Sequence, residues 1–464
     1  MNKSYENHTL TITSLDEQGY GLAKDKQFKF FILNALPNEI VEVEIHNKKH
    51  KNYFGNAVSI QNISENRIEP KEDHYTSCSP WQIFKYEEQI KNKLEFLQKA
   101  FDAYKIRLPD IKLLPADEQD RWNYRNKVEY GFYTNKETEE TSLSFFKRGS
   151  HFGKVIVKEC CLIHKNLDIS AQQILKWVQA KGLGGFQLKT VLLRSSSTTG
   201  QVMATLFIKD ETIKVDKGEL DGILNDVLIG FKVVFSNPLS PSSIVTTELA
   251  TVGTLVLTEK VGNLNLEFGI DNFFQVHVPQ FQKVLKILQT ELKKVVSDKF
   301  KLSGKNGAVR QDILAADLYS GVGTIGLSVL DLFAKVKMIE LSPMSRETTL
   351  RNAKNNNLDD SKLEIWEGAT EKSLDALNGE NVIIVDPPRS GLPFKVAEKL
   401  LEVSPEIIVY LSCNPFTQAR DLAILIKQYN IHFQQAFDSY PQTPHIENLI
   451  ILTKAERFNS NTSV

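Results

Sequence analysis

The sequence predicts an α/β protein: a doubly wound sheet in its C-terminal part, preceded by a small N-terminal β-barrel and a central mixed α+β domain. Three observations carry this reading. From about residue 253 onward, short and continuously apolar runs alternate with stretches of helical period, which specifies parallel strands covered on both faces. Between residues 10 and 62 the chain instead alternates apolar and polar residues in short runs separated by turn residues, the pattern of a small barrel. A length of 464 residues exceeds what one hydrophobic core can organise. The changes of pattern divide the chain into a barrel over 1–65, a central domain over 66–255, the doubly wound domain over 256–456 and a flexible tail over 457–464.

Composition narrows the function classes. The 56 basic residues are balanced by 57 acidic ones, so a polyelectrolyte of the histone kind is excluded and any nucleic-acid contact must come from a local patch. The four cysteines, Cys78, Cys160, Cys161 and Cys413, are too few for a disulfide framework, and no basic-then-apolar leader opens the sequence. Both facts point to a reducing cytoplasm. The longest apolar runs, such as 382–385 and 407–411, fall far short of the ~20 residues that span a bilayer, so no membrane is expected.

Taken in order, the barrel strands are expected at 10–14, 19–23, 28–33, 40–45 and 53–60. The hairpin segment 47–53 sets a basic cluster beside Tyr53, an arrangement that can follow a phosphate backbone while the ring stacks on a base. A helix over 83–104 carries Tyr86, Ile90, Leu94, Leu97 and Phe101 along one face and should dock on the doubly wound domain. Strands are expected at 127–132, 143–147, 153–157, 190–194 and 201–208, with a helix over 167–181. Arg121, Arg125, Lys127, Lys147 and Arg148 lie among Trp122, Tyr124, Tyr130, Phe132, Phe145 and Phe146, a mixture suited to RNA and equally ordinary in a half-buried sheet. Adjacent Cys160 and Cys161 point to opposite faces of a strand, and no C-x-x-C pair exists, so no metal site is expected.

Chemistry concentrates at predicted strand ends of the last domain. Gly321, Gly323 and Gly326 complete a G-x-G-x-x-G loop after the strand over 313–318, and Glu340 closes the next strand about twenty residues on. That combination indicates a ligand containing adenosine without saying which. Asp386-Pro387-Pro388-Arg389 follows the strand over 382–385 as a rigid acidic rim, better suited to holding a flipped base than to hydride transfer. Cys413 ends the apolar run 407–411 in Ser412-Cys413-Asn414-Pro415; a free cysteine is more often a buried apolar residue, and the surrounding motifs argue for a nucleophile. Glu447 stands where a loop enters the strand over 448–452, a place that can raise a carboxylate toward a working base.

Together these residues resemble the family of S-adenosylmethionine-dependent RNA uracil-5-methyltransferases over nearly the whole chain. The N-terminal region looks like that family's TRAM domain, and Tyr124-Arg125-Asn126-Lys127, Asn272-Phe273-Phe274-Gln275-Val276, Asp386-Pro387-Pro388-Arg389, Ser412-Cys413-Asn414-Pro415 and His445-Ile446-Glu447 follow in the family's order. The resemblance implies a class I methyltransferase fold, S-adenosyl-L-methionine as cofactor, and donor contacts from Gln275, Tyr319, Gly321, Gly323, Glu340 and Asp386. It makes Cys413 the nucleophile and Glu447 the general base. The implied partner is structured RNA, 23S rRNA ahead of the tRNA T-loop because of the TRAM-like barrel, with no obligate protein partner. A non-catalytic RNA-binding or ribosome-assembly factor and a nicotinamide oxidoreductase are the competing readings. Many relatives carry an iron–sulfur cluster on four cysteines; here Glu72, Cys78 and Trp81 fall at the first three positions, with Cys160 or Cys161 at the fourth, so no iron–sulfur cluster is expected. His277 and Ser320 also depart from the family pattern.

Overall fold

The computed structural model describes residues 8–150, 153–301 and 312–456. They form two compact units: one takes in the described residues up to 93, 117–257 and 440–445, the other 94–116, 258–439 and the described residues from 446 onward. The expected barrel and most of the expected central domain thus fall in one unit, whereas 94–116 of that central domain belongs to the other; the expected tail over 457–464 lies outside the described residues.

In the first unit the strands expected to close into a barrel form a six-stranded sheet. Its edge strands, His8–Thr11 and Ser14–Leu15, are successive parts of one segment, the first paired with Ile40–Lys49 and the second with Gly21–Asp25. No ladder joins the two edges among the described residues; only two residues of the second edge are extended, too few to build one. Alternating positions such as Ile12, Phe30, Ile32, Val41 and Val43 fill the core of this sheet, as period-two patterning requires. The same unit holds a seven-stranded sheet covered by the helix Lys165–Ala180, whose Leu167, Ala171, Ile174 and Val178 pack with Tyr130, Leu143, Val191 and Leu193.

The second unit is the doubly wound domain. Its strands lie in the order Leu363–Glu367, Lys335–Glu340, Leu314–Leu318, Val382–Val385, Ile407–Ser412, Glu447–Lys454, Tyr429–Phe437 and Leu113–Leu114. The first five run parallel, and Glu447–Lys454 is antiparallel to both its neighbours. Leu318, Ile339, Ile383, Val385, Ile408 and Tyr410 share one core with Leu97, Ala100 and Phe101 from the end of the helix Tyr86–Asp102. That helix departs from the expected face in its first half. Gln89 and Lys93 are the fully buried positions there, because Gln89 donates to Trp81 O, Phe84 O and Gln442 Oε1 and Lys93 donates to Tyr440 O. The helix Pro415–Leu425 and the strand Tyr429–Phe437 complete the domain beyond what the apolar runs had indicated.

Strand order reverses at Leu314–Leu318, where the chain leaves one side of the sheet to build the other at Val382–Val385. A doubly wound sheet opens a crevice at the carboxyl ends of the strands flanking such a reversal.

Candidate active site

The crevice is narrow and is lined by Phe273, Phe274, Gln275, Asp317, Tyr319, Ser320, Gly321, Val322 and Asp386. Its floor is the glycine loop. Tyr319, Gly321 and Gly323 all take left-handed backbone angles, with φ of 64°, 56° and 85°. For Tyr319 this is unusual, and the turn is held because Tyr319 N and Ser320 N both donate to Ile339 O, at 3.0 and 3.2 Å. At Gly323 a Cβ would lie 2.8 Å from Thr349 Cγ2, so positive φ and crowding together demand glycine.

Carboxylates surround this loop. Glu340 Oε2 accepts from Gly321 N at 2.9 Å and Oε1 from Ser342 N at 3.1 Å, which fixes the acidic end of the second strand to the glycine turn. Asp317 is buried; its Oδ2 accepts from Gly326 N at 2.8 Å while Oδ1 has no hydrogen-bond partner. Burial pushes its carboxyl up to about 8, with Asp386 and Glu340 adding to the rise against the Gly326 bond. Gln275 Nε2 donates to Asp386 Oδ2 at 3.4 Å, and burial lifts the Asp386 carboxyl to about 7. The Tyr319 phenol is likewise held up at about 12 by burial and then by Glu371. Three acids around one small crevice make a site that favours a cationic group.

The pair Cys413 and Glu447 follows from strand register. Ile407–Ser412 pairs antiparallel with Glu447–Lys454 so that Ser412 lies opposite Asn448. Cys413 follows Ser412 and Glu447 precedes Asn448, so both lie at this end of the ladder, close enough for the Glu447 charge to act on the Cys413 thiol. Cys413 sits in a short turn between its strand and the helix Pro415–Leu425, where Asn414 caps the helix through Oδ1 to Phe416 N at 3.2 Å and Pro415 supplies the preset first turn. Asn414 Nδ2 also donates to Arg389 O at 2.9 Å, and Thr417 Oγ1 donates to the same carbonyl at 3.2 Å. The acidic rim and the cysteine turn are therefore tied together. Asn448 is locked by Gln418 and Gln434, with bonds of 2.7 and 2.8 Å, which fixes the start of the strand bearing Glu447.

Burial pushes the Cys413 thiol up to about 12, the carboxylates of Glu447 and Asp386 push the same way, and the Arg389 guanidinium opposes them. Glu447 is buried, 4% exposed, as its place at a strand entry had suggested. Of the residues expected at the site, Gln275, Tyr319, Gly321 and Asp386 line one crevice, Glu340 bonds its glycine turn, Gly323 shapes it, and the charges of Asp386 and Glu447 reach Cys413. Sequence reasoning gave no role to Asp317, Arg389 or Asn414. All three lie inside motifs it quoted, so the residue types were visible but their side-chain directions were not. His277 is buried and its Nδ1 lies 3.1 Å from Ser439 O at the start of the helix Val278–Lys299.

In the first unit the aromatic and basic mixture is largely structural. Tyr124, Tyr130 and Phe132 are core residues, leaving Phe146 as the exposed ring, with Lys154 over its face at 3.2 Å. Tyr53 stacks on Phe30 at 5.1 Å with Lys48 over it at 4.8 Å, so both packing and a cation already engage the ring expected to meet a base. Trp81 is buried and packs edge-on to Phe84. Glu72, Cys78 and Cys160 do come together, joined by a residue the sequence had not marked, His74.

Residues 305–455 match the family model described as tRNA (uracil-5-)-methyltransferase. Proteins called uncharacterized RNA methyltransferases are similar over almost their whole length. The one from Enterococcus faecalis is 29% identical over 465 residues, covering 96% of each chain. That from Nanoarchaeum equitans is 28% identical over 454 residues, covering 96% of this chain and 92% of its own. Among solved structures, the Pyrococcus abyssi tRNA (uracil-54, C5)-methyltransferase in complex with S-adenosyl-L-homocysteine superposes with a TM-score of 0.73 at 21% identity, over 96% of this chain and 100% of that one. No helix among the described residues is long and apolar enough to cross a membrane.

Proposed function

We propose, from the premise that this chain belongs to the RNA uracil-5-methyltransferase family, that it transfers a methyl group from S-adenosylmethionine to carbon 5 of a uridine in structured RNA through a covalent Cys413 adduct. The observation that supports the proposal is that Cys413 and Glu447 end adjacent paired strands and that the charges of Glu447 and of Asp386, which lines the acidic crevice, both act on the Cys413 thiol. The crevice fits the donor on its own chemistry: Gly321 and Glu340 make a glycine turn closed by an acid, and the unpartnered Oδ1 of Asp317 with Asp386 favours a positively charged ligand. When bound, that donor supplies an electrophilic methyl group on a sulfonium.

The residues of the chain do the rest. Carbon 5 of uracil is a weak nucleophile, so Cys413, its thiol proton given up to solvent, adds through Sγ to carbon 6 and moves the electron pair onto carbon 5, where it would form the new bond to the methyl carbon as the methyl–sulfur bond breaks and leaves a neutral thioether. Glu447 removes the hydrogen from carbon 5, and the carbon–sulfur bond breaks to regenerate the thiolate and the double bond. Burial, and then the charges of Glu447 and Asp386, push the Cys413 thiol up, and the Arg389 guanidinium favours the thiolate that the addition needs. The target base must leave its stack to reach a turn at a strand end.

The N-terminal sheet gives no preference between RNA classes, because a tRNA enzyme of the same fold covers 96% of this chain. The deciding assay supplies labelled methyl donor with unmodified ribosomal RNA and tRNA in parallel. Label on uridine carbon 5 of one of them, abolished in Cys413→Ala, is expected; no transfer to either would remove the enzymatic reading and favour an RNA-binding factor.

A further inference from the structure

The first unit brings together four donor side chains that methyl transfer does not use. Glu72, His74, Cys78 and Cys160 place their ligand atoms all within 4.8 Å of one another, although Cys160 is 88 residues away from Glu72. We propose that these four residues bind one tetrahedral divalent cation, with zinc as the ion the donor set fits. The inference is independent of the function proposed above.

Geometry supports it first. Bonds of about 2.3 Å to sulfur and about 2.0–2.2 Å to nitrogen and oxygen put the edges of a tetrahedron at about 3.3–3.8 Å. His74 Nε2 lies 3.3 Å from Glu72 Oε1, Cys78 Sγ 3.4 Å and Cys160 Sγ 3.8 Å from the same oxygen. The three edges that meet at Glu72 Oε1 are thus at ligand-to-ligand spacing, and the remaining ones are within 4.8 Å. His74 is 5% exposed, and its Nε2 is turned to the Glu72 carboxylate, 3.3 Å away, and to the Cys160 thiol, so the ring nitrogen already faces the centre that the other three donors surround.

The surroundings hold the ligands in that pose. Glu72 Oε2 accepts from Cys161 N at 2.8 Å and its Oε1 from Gln82 Nε2 at 2.8 Å, while Cys160 N donates to Asp168 Oδ2 at 3.0 Å. Outer-shell bonds of this kind orient first ligands toward a metal. Two sulfurs, one nitrogen and one oxygen suit zinc, whereas an iron–sulfur cluster requires four thiolates as a rule, and here Trp81 stands where a third would be. Four protein ligands leave no open position, so the ion is structural. It fastens the short helix Tyr75–Cys78, in the stretch between the two sheets of this unit, to the loop preceding the helix Lys165–Ala180.

The test uses the full chain, purified in reductant without added chelator. Elemental analysis should find about one zinc per chain and no acid-labile sulfide. Cys78 and Cys160 should resist alkylation until a strong chelator is added, and chelation should lower the melting temperature, with recovery on zinc and not on magnesium. Cobalt exchanged into the folded protein should show the intense visible bands and thiolate charge-transfer absorption of a tetrahedral site, both lost in Cys78→Ser. Because that variant can fail to fold, the wild-type cobalt spectrum and the alkylation pattern stand by themselves. Iron with sulfide, a Cys78–Cys160 disulfide, or thiols equally reactive before and after chelation would each overturn the assignment.

Discussion

The chain carries two places where cysteine chemistry is concentrated, and they are built in opposite ways. Cys413 stands in a short turn between regular elements: a fully buried strand that ends at Ser412 and a helix capped by Asn414 fix its backbone on either side. Cys78 ends the one-turn helix Tyr75–Cys78 and Cys160 lies in a loop; Gln82 Nε2 and Cys161 N donate to Glu72 between them, and Cys160 N donates to Asp168 Oδ2. Their electrostatics differ as well. Burial, and then the charges of Glu447 and Asp386, push the Cys413 thiol up, with the Arg389 guanidinium opposing them. Around Cys78 and Cys160 an imidazole and a carboxylate complete a closed set of donors. A reactive sulfur must keep one side open for substrate, whereas a structural one gains by having every side filled.

The largest effect that can break this contrast is expected at Cys413 itself. Cys413→Ala should lower methyl transfer by at least about 10³-fold, the scale at which enzymes lose a covalent nucleophile. Its metal content should stay at the parent value. A variant that retains transfer, or that loses metal, would mean that the two cysteine sites do not have the separate tasks assigned to them. Next comes Glu447→Gln, for which a loss of about 10²–10⁴-fold is expected if the base acts after the methyl group has arrived. Because the carbon–sulfur bond can then no longer break by elimination, a covalent protein–RNA complex should persist on a denaturing gel with ordinary uridine RNA. Equal loss without any such complex would place Glu447 before the methyl step.

These two residues were legible from sequence because strand ends are legible: an apolar run fixes the direction of the chain, and whatever follows it must lie at the sheet's edge. The same logic marked Gly321, Glu340 and Asp386. It could not mark His74. That residue belongs to no run or spacing pattern, and its partner Cys160 comes from a loop that only the completed sheet brings near. The helix Tyr86–Asp102 shows the same limit differently, since an apolar stripe was visible but not the carbonyl partners that bury Gln89 and Lys93. The basic and aromatic clusters left two readings open, and the packing of their rings adds what sequence lacked. Tyr130 and Tyr53 have the chemistry of RNA contact, yet their rings pack on Phe145 and Phe30.

A smaller effect separates the acids of the crevice from the thiol they influence. With the Asp386 carboxyl lifted to about 7 by burial, a cationic donor binds best to its ionised form. Raising the pH from 6 to 8 should therefore tighten donor binding, since the proton that competes with the cation is lost across that interval. In Asp386→Asn the pH dependence should flatten, and binding should weaken about 10-fold, the scale of one charge-assisted hydrogen bond. Isothermal titration with S-adenosylmethionine at several pH values reads both. A slope unchanged in the variant would transfer the titration to Asp317, whose carboxyl is lifted to about 8.

The smallest effect tests whether the Cys413 turn is positioned by its side chains or by its backbone alone. Asn414 contributes two bonds there, a cap to Phe416 N and a donor to Arg389 O. Removing both in Asn414→Ala should cost about 1–2 kcal/mol, hence a melting temperature lower by about 2–8 °C. Transfer should fall further than the loss of folded protein explains, because Arg389 opposes the burial and the charges that push the Cys413 thiol up and its loop would no longer be tied to the cysteine turn. Asn414→Asp divides the two contributions. It keeps an oxygen for the cap and so should recover part of the stability, but it places an acceptor against the Arg389 carbonyl and adds a negative charge beside the thiol. Its transfer rate should stay low while its melting temperature rises toward the parent. If both variants melt and react like the parent, the strand register alone aims Cys413.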